Sequence, residues 1–382
     1  MNIALVSHLF PNELATSQGK FIKDLFELLK KNNSTEVSLL VPTPYAIPFT
    51  KRNSLNNAPF ICGSKNITRL KFLSFPRKTF PRVIQKSISY TLLSHLEGLP
   101  PDIVHVHWLY PDGLAIPALK KAGYKVILTI HGSDWYQSIN KPHFRPIISE
   151  IFDCVDRVLY SGPQLKIDVE NVFPKLSAKS DVIYNMVDSQ KYTPISTTEK
   201  VEKRTKLGWD DSKIHALTVA SIREEKGIDL LLDAIIDNSE LKDTIFHIIG
   251  NYENTAYSNK IKNKLDQGHF QNIQVHPTVS PDQLIEYLHA TDVYISPSRR
   301  EAFGLALTEA SFCGVPFLSS PTGISSKLAE LGYGKIVSEF SRTNLVSHIP
   351  SIVAMKPNTT AIKKLFSSDA YLKKLFAIYS GI

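Results

Sequence analysis

Apolar residues in this chain come in short runs separated by stretches of helical periodicity, and the two alternate along most of the sequence. The run NIALVSH (2–8) reads as a buried strand. After a loop over 11–19, KFIKDLFELLKK (20–31) repeats Phe21, Ile22, Leu25, Leu28 and Leu29 at the spacing of one helix face. Further runs follow at VSLLVP (37–42), DIVHVHW (102–108), KVILTIHG (125–132) and RVLYSG (157–162), with GLAIPALKKAG (113–123) between two of them. Short strands with little polar alternation are buried on both faces, which is the mark of a parallel sheet covered by helices.

The polar stretch DSQKYTPISTTEK (188–200) interrupts the pattern and is the expected linker. Beyond it the alternation restarts: HALTVAS leads to GIDLLLDAII, IFHIIG to AYSNKIKNKL, IQVHPTV to SPDQLIEYLHA, and DVYISPS to LALTEASFCG, with PFLSS as another strand. Two doubly wound α/β domains are therefore expected, over 1–187 and 188–365. The helical tail TAIKKLFSSDAYLKKLFAIY (360–379) has an apolar face, and from 366 to 382 it is expected to pack back on the first domain. Length agrees, since 382 residues exceed what one hydrophobic core usually supports.

Composition narrows the class. With 43% hydrophobic and 21% charged residues, the chain has the apolar content to fold rather than remain disordered. Cys62, Cys154 and Cys313 lie far apart, without C-x-x-C or a histidine at ligand spacing, so neither a zinc site nor a disulfide framework is expected. A reducing, cytoplasmic setting fits. The opening MNIALVSHLF has no basic leader, and no stretch approaches the roughly 18 apolar residues of a membrane span.

The net charge of +8 is unevenly placed. No acid occurs between Glu36 and Glu97, whereas Lys51, Arg52, Lys65, Arg69, Lys71, Arg77, Lys78, Arg82 and Lys86 all fall there, interleaved with Phe60, Phe72, Phe75 and Phe80. The segment 51–86 reads either as a solvated basic loop or as a surface for anionic lipid head groups, peripheral on the inner membrane face. Nucleic acid is not expected as a partner, because no recognised binding module accompanies the bases.

In open parallel sheets ligands bind beyond the carboxyl ends of the strands. Gly19, at a helix start in the first such loop, allows close backbone approach to an anion or serves a plain turn. His131 ends the strand KVILTI and could bond a substrate hydroxyl, while Asp134 could cap the next helix. Arg223 and Lys226, in VASIREEKG, lie beside the helix beginning near Gly227 and either suit a pyrophosphate or form an exposed basic turn balanced by Glu224 and Glu225.

In DVYISPSRREAFGLALTEASFCGVP, Glu301 falls in the loop after a strand and Glu309 one to two turns into the following helix. Eight helical residues would span roughly 12 Å, so the two acids either serve different parts of one elongated ligand or sit on a solvated helix start in favourable dipole positions. A sugar at Glu301, a pyrophosphate at the amides near Gly304 and a ribose at Glu309 fit that spacing. No G-x-G-x-x-G, P-loop or D-x-D motif follows any strand, so no dinucleotide cofactor or metal is expected.

The E-x7-E spacing of Glu301 and Glu309 inside PSRREAFGLALTEASFCGVP is joined by SQGKFIKDL, HVHWLYPDG, TIHGSD, YNMVDSQKYTP and EEKGIDLLLDAI in the same order. On these motifs the chain resembles a family 4 glycosyltransferase of the GT-B fold across nearly its whole length. The resemblance implies two Rossmann-like domains facing a central cleft, the N-terminal one for the acceptor and the C-terminal one for a nucleoside-diphosphate sugar.

By the same resemblance, Lys226 and Arg223 would bind the diphosphate beside the Phe303-Gly304-Leu305 backbone, with Gly19 in the glycine loop. Glu309 would hold the ribose, Glu301 the transferred sugar, and His131 would sit near its hydroxyls. It further implies retention at the anomeric carbon without a metal, a UDP-sugar donor, and a saccharide or lipid-diphosphate-linked acceptor in cell-surface polysaccharide assembly. The leaving phosphate could then take the acceptor's proton. A nucleotide-sugar epimerase of the same fold and a non-catalytic sugar-nucleotide-binding subunit are the alternatives. The chain departs from the family in having Ala220-Ser221 for Gly-Arg, Gln18-Gly19 for a glycine pair, and Met186 in place of glycine in the usual Asn-Gly-Val-Asp.

Overall fold

A computed structural model describes the chain except residues 16–17, 46–50, 62–63, 76–78, 99, 237–238, 269 and 271, and of 51–53 it gives the backbone only. Cys62, Arg77 and Lys78 thus lie outside the described residues. The chain divides into two compact units, one of Met1–Tyr184 with Leu372–Ile382 and one of Asn185–Tyr371.

The first unit is built on seven strands: β1 (Asn2–Val6), β2 (Glu36–Pro44), β3 (Ile67–Phe72), β4 (Ile103–His107), β5 (Val126–Ile130), β6 (Arg157–Tyr160) and β7 (Ser180–Val182). All pair in parallel, in the order β3-β2-β1-β4-β5-β6-β7. β4 and β5 are buried along their whole length, with His105, His107 and Thr129 buried among their apolar residues. The helix Lys20–Lys30 buries Ile22, Leu25, Phe26 and Leu29 and leaves its lysines outward.

The second unit repeats the plan with β8 (Ile214–Val219), β9 (Thr244–Ile249), β10 (Ile273–His276), β11 (Val293–Ser296), β12 (Phe317–Ser319) and β13 (Gly334–Ile336), in the order β10-β9-β8-β11-β12-β13. Its core gathers Leu231, Leu232, Phe246, Ile248, Ile295 and Leu318. In each unit the strand order runs outward in both directions from one central pair, β1 with β4 and β8 with β11. The loops leaving the carboxyl ends of such a pair diverge to opposite faces and open a crevice between them.

Several elements are less plain in the sequence. β3 and the helix Pro81–Leu96 lie inside the basic stretch. ITRLKF places Arg69 and Lys71 on an edge strand, where charged side chains discourage pairing with another chain. The expected linker contains a helix start: Ser196 and Glu199 form a capping box for Thr197–Leu207, so its polar residues are cap chemistry as well as connection.

The tail forms two helices, Thr360–Phe366 and Ser368–Ser380, and the chain returns to the first unit at Leu372, inside the second of them. There Leu375 and Tyr379 are buried, and the Tyr379 hydroxyl meets His105 Nδ1 at 2.7 Å.

Candidate active site

The crevice loops of the second unit are Ala220–Gly227 after β8 and Pro297–Gly304 after β11. They are held against each other: the main-chain N–H groups of Arg299 and Arg300 donate to the Glu225 carbonyl at 2.8 and 3.2 Å, and the Arg299 guanidinium bonds Asp229 through both nitrogens at 2.7 and 2.8 Å. Burial raises the Asp229 carboxyl, but the bonds from Arg299 and Tyr257 outweigh it and hold the group at about 2.

Gly227 is where the loops nearly touch. It has φ +64°, and a Cβ there would overlap the Pro297 carbonyl. Across this contact Lys226 Nζ donates to Glu301 Oε1 at 2.5 Å, and the Ser298 hydroxyl donates to the same oxygen at 3.2 Å.

Directly after Glu301 the chain turns through Gly304, at φ +98°, into the helix Leu305–Phe312. Leu305 is exposed at its start, while Phe303 turns inward against Phe366, with ring centroids 5.9 Å apart, and gives its carbonyl to the Ile324 N–H at 2.8 Å. Phe303 therefore shapes the turn by packing. Glu309 lies on the same helix and is only 8% exposed.

Tyr294, buried on β11, stands in the field of both acids: burial, then Glu301, and more weakly Glu309 push its hydroxyl well above the usual range. The sequence thus brings Lys226, Glu301, Gly304 and Glu309 to one region of the second unit. Arg223 is directed elsewhere. Its side chain is half exposed and paired with Glu253, and its N–H donates to the Ser221 carbonyl at 2.8 Å in a tight turn.

In the first unit, Gly19 has φ +66° and begins the helix Lys20–Lys30, but a Cβ there would overlap the Leu9 carbonyl. The close approach Gly19 allows is therefore to its own loop. Phe21, two residues on, lies 4.6 Å from the His131 ring. His131 also packs on Trp108 at 4.5 Å, and its Nε2 is 3.2 Å from His107 Nδ1. Burial first, then the neighbouring His107 and His8, hold His131 well below its usual pKa, so the ring is neutral at pH 7. Asp134, expected as a helix cap, accepts instead from the N–H groups of Leu109 and His131 at 2.6 and 3.2 Å and so ties the β4 and β5 loops together.

Sequence reasoning missed Tyr294, the Arg299–Asp229 clamp, and His8 with Asp112. The last two meet at 2.6 Å across the loops after β1 and β4. Only the strand order, which single-sequence periodicity does not contain, makes those loops neighbours.

Two doubly wound units, each with a switch point at its central strand pair, have the GT-B architecture. Two family models match, Glycosyltransferase Family 4 over residues 19–191 and Glycosyl transferases group 1 over 199–364; between them they span most of the chain, which belongs to the family 4 glycosyltransferases. An uncharacterized glycosyltransferase of Methanocaldococcus jannaschii is 23% identical over 319 residues, covering 83% of this chain and 79% of that protein. The O-antigen biosynthesis glycosyltransferase WclY of Escherichia coli is 26% identical over 285 residues, 72% of this chain and 75% of the relative. Among solved structures, Anabaena HepE in complex with UDP and glucose superposes with a TM-score of 0.71 at 15% identity, with 100% of both chains covered, a likeness of fold.

Proposed function

We propose that this glycosyltransferase moves a sugar from a nucleoside-diphosphate sugar, a UDP-sugar by preference, to a saccharide or lipid-diphosphate-linked acceptor during cell-surface polysaccharide assembly. The observation that carries the reading is the Lys226–Glu301 pair at the β8/β11 switch point, beside a helix that starts at Gly304 and carries Glu309. Support for the donor comes from HepE, whose structure holds UDP and glucose, and for the pathway from the O-antigen role of WclY.

In this reading Lys226 and the helix start stabilise the negative charge that builds on the departing diphosphate. Glu309 holds the ribose hydroxyls and Glu301 positions the transferred sugar. Arg223 reaches phosphate only by leaving Glu253. With a cation and helix amides facing the diphosphate, the transfer proceeds without a metal, and the new bond retains the donor's anomeric configuration.

Membrane docking belongs to the same proposal. On and just before the helix Pro81–Leu96, Phe80, Val83, Lys86 and Tyr90 are exposed, with Tyr90 at 76% and Phe80 at 65%. Aromatic and basic groups on one helix face suit the anionic inner surface of a membrane. No described helix is long and apolar enough to cross one.

The test is turnover of a panel of nucleotide sugars by the full chain, with the product's anomeric proton read by NMR with and without a chelator. A retained configuration unaffected by the chelator is expected; an inverted product, or activity abolished by the chelator, would contradict the mechanism.

A further inference from the structure

In the second unit the loop after β9 runs alongside the loop after β8. Gly250, the first residue beyond β9, lies so close that an added Cβ would overlap the Ala220 carbonyl, and Ile222 forms a parallel bridge with Tyr252. The buried Ser258, in the first turn of the helix Ala256–Gln267, then joins the two loops: its hydroxyl donates to the Ile222 carbonyl at 2.6 Å and accepts from the Glu253 N–H at 3.2 Å. Arg223 and Glu253 therefore face each other from main chain that is held on both sides.

Their side chains meet near the surface. Arg223 Nε donates to Glu253 Oε1 at 2.5 Å and Nη2 is directed at the same oxygen, so the guanidinium grips one carboxylate oxygen. Arg299 instead spans both oxygens of Asp229, a side chain only 13% exposed, in the two-bond fork that gives such pairs their strength. With Arg223 48% exposed, its pair is screened by water and is the easier of the two to open.

Lys226 lies one 3₁₀ turn further on, its N–H donating to the Arg223 carbonyl at 3.0 Å. Three residues of such a turn rise about 6 Å, a separation that two long cationic side chains close easily on adjacent phosphates of one ligand. Each cation is already neutralised by a carboxylate, Lys226 by Glu301 and Arg223 by Glu253. A phosphate that takes Arg223 has to compete with Glu253.

We infer that Glu253 is a specificity-determining residue of the donor site: it competes with the ligand for Arg223, so that a nucleoside diphosphate opens the pair and a monophosphate, satisfied at Lys226, leaves it closed. This rests on the proposed function, which places the diphosphate beside Lys226. An exposed pair of this kind is formed in roughly 60–85% of molecules, and it therefore lowers the apparent affinity for a diphosphate about two- to sixfold.

The experiment is calorimetric titration of the full chain with UDP and with UMP, repeated with the guanosine, adenosine and cytidine pairs. Wild type, Glu253→Gln, Arg223→Gln and the double variant are compared. Both side chains reach solvent, so the variants are expected to fold.

Glu253→Gln should bind the diphosphate about two- to sixfold more tightly than wild type, and Arg223→Gln about 10-fold more weakly, while monophosphate binding changes by less than about twofold in either. In the double variant the effect of Glu253→Gln should vanish, because no guanidinium is left to release. Tightening that persists without Arg223, or that is equal for the monophosphate, would show a general effect of charge and overturn the inference. Diphosphate binding that is unchanged in Glu253→Gln or in Arg223→Gln would also overturn it, and either result leaves the proposed function standing. A wild-type chain that binds none of the four diphosphates would overturn the proposed function, and the inference with it.

Discussion

Gly227 and Gly208 adopt nearly the same left-handed conformation, φ/ψ of 64°/27° and 69°/27°, but in different surroundings. An added Cβ at Gly208 meets nothing within 4 Å, whereas at Gly227 it overlaps the Pro297 carbonyl oxygen and lies 3.0 Å from the carbon. Alanine in this conformation costs roughly 1–2 kcal/mol, partly offset by 0.4–1 kcal/mol from a stiffer unfolded chain. Gly208→Ala should therefore lower stability by about 1 kcal/mol, or roughly 2–4 °C.

Gly227→Ala carries the same cost and must also part the two crevice loops. Overpacking of this kind adds about 2 kcal/mol, a further roughly 4–8 °C. The displacement separates Lys226 from Glu301 and strains the bonds from Arg299 and Arg300 to the Glu225 carbonyl. A shift of about 1 Å in a catalytic constellation costs on the order of 10²-fold in rate. Thermal melting and donor turnover on the two variants read both effects. If the two alanine variants melt together and both retain wild-type turnover, contact between the loops does not set the site.

Three further outcomes are expected. Lys226→Met should lower turnover by about 10²–10³-fold yet change the melting of the free protein little, since a partly exposed ion pair contributes about 1 kcal/mol or less; a variant that keeps its activity would remove Lys226 from the mechanism. His247, buried against Trp209 and bonded to His215 and His276, is lowered to about 2 by burial first and then by those two rings. Its folded pKa lies below the unfolded value of about 6.5, so only the unfolded chain takes up this proton as pH falls through that value. The stability advantage of wild type over His247→Phe should therefore narrow by about 2 kcal/mol between pH 7 and pH 5 in urea unfolding, and a constant gap would refute this. Tyr379→Phe should destabilise the first unit by about 1–3 kcal/mol, because the fully buried His105 loses the partner of Nδ1; an unchanged unfolding midpoint would count against it.

The fold was legible where burial is two-sided. The runs at β1, β4, β5, β8 and β11 are mostly apolar because helices cover both faces, and the helices between them show their buried stripe. β3 was hidden because an edge strand carries charge, and β7 and β13 because each is three residues with a charged one at its centre, unlike the apolar start of β12. The acids of E-x7-E could be placed because a strand end and a helix start fix where Glu301 and Glu309 fall. What spacing could not reveal was pairing across the sheet. Arg223 finds Glu253, Arg299 finds Asp229 and His8 finds Asp112 through the strand order, and each partner lies 30 or more residues away.

The central claim is that the second unit binds a nucleoside diphosphate with its ribose on Glu309. Thermal melting of the full chain with UDP, GDP, ADP and CDP, in wild type and Glu309→Ala, tests it most directly. The account predicts that one base, uridine by preference, stabilises the wild type by about 2.7 kcal/mol at a hundred times its Kd, and that Glu309→Ala loses this response. No stabilisation by any of the four, or an undiminished response in Glu309→Ala, would contradict it.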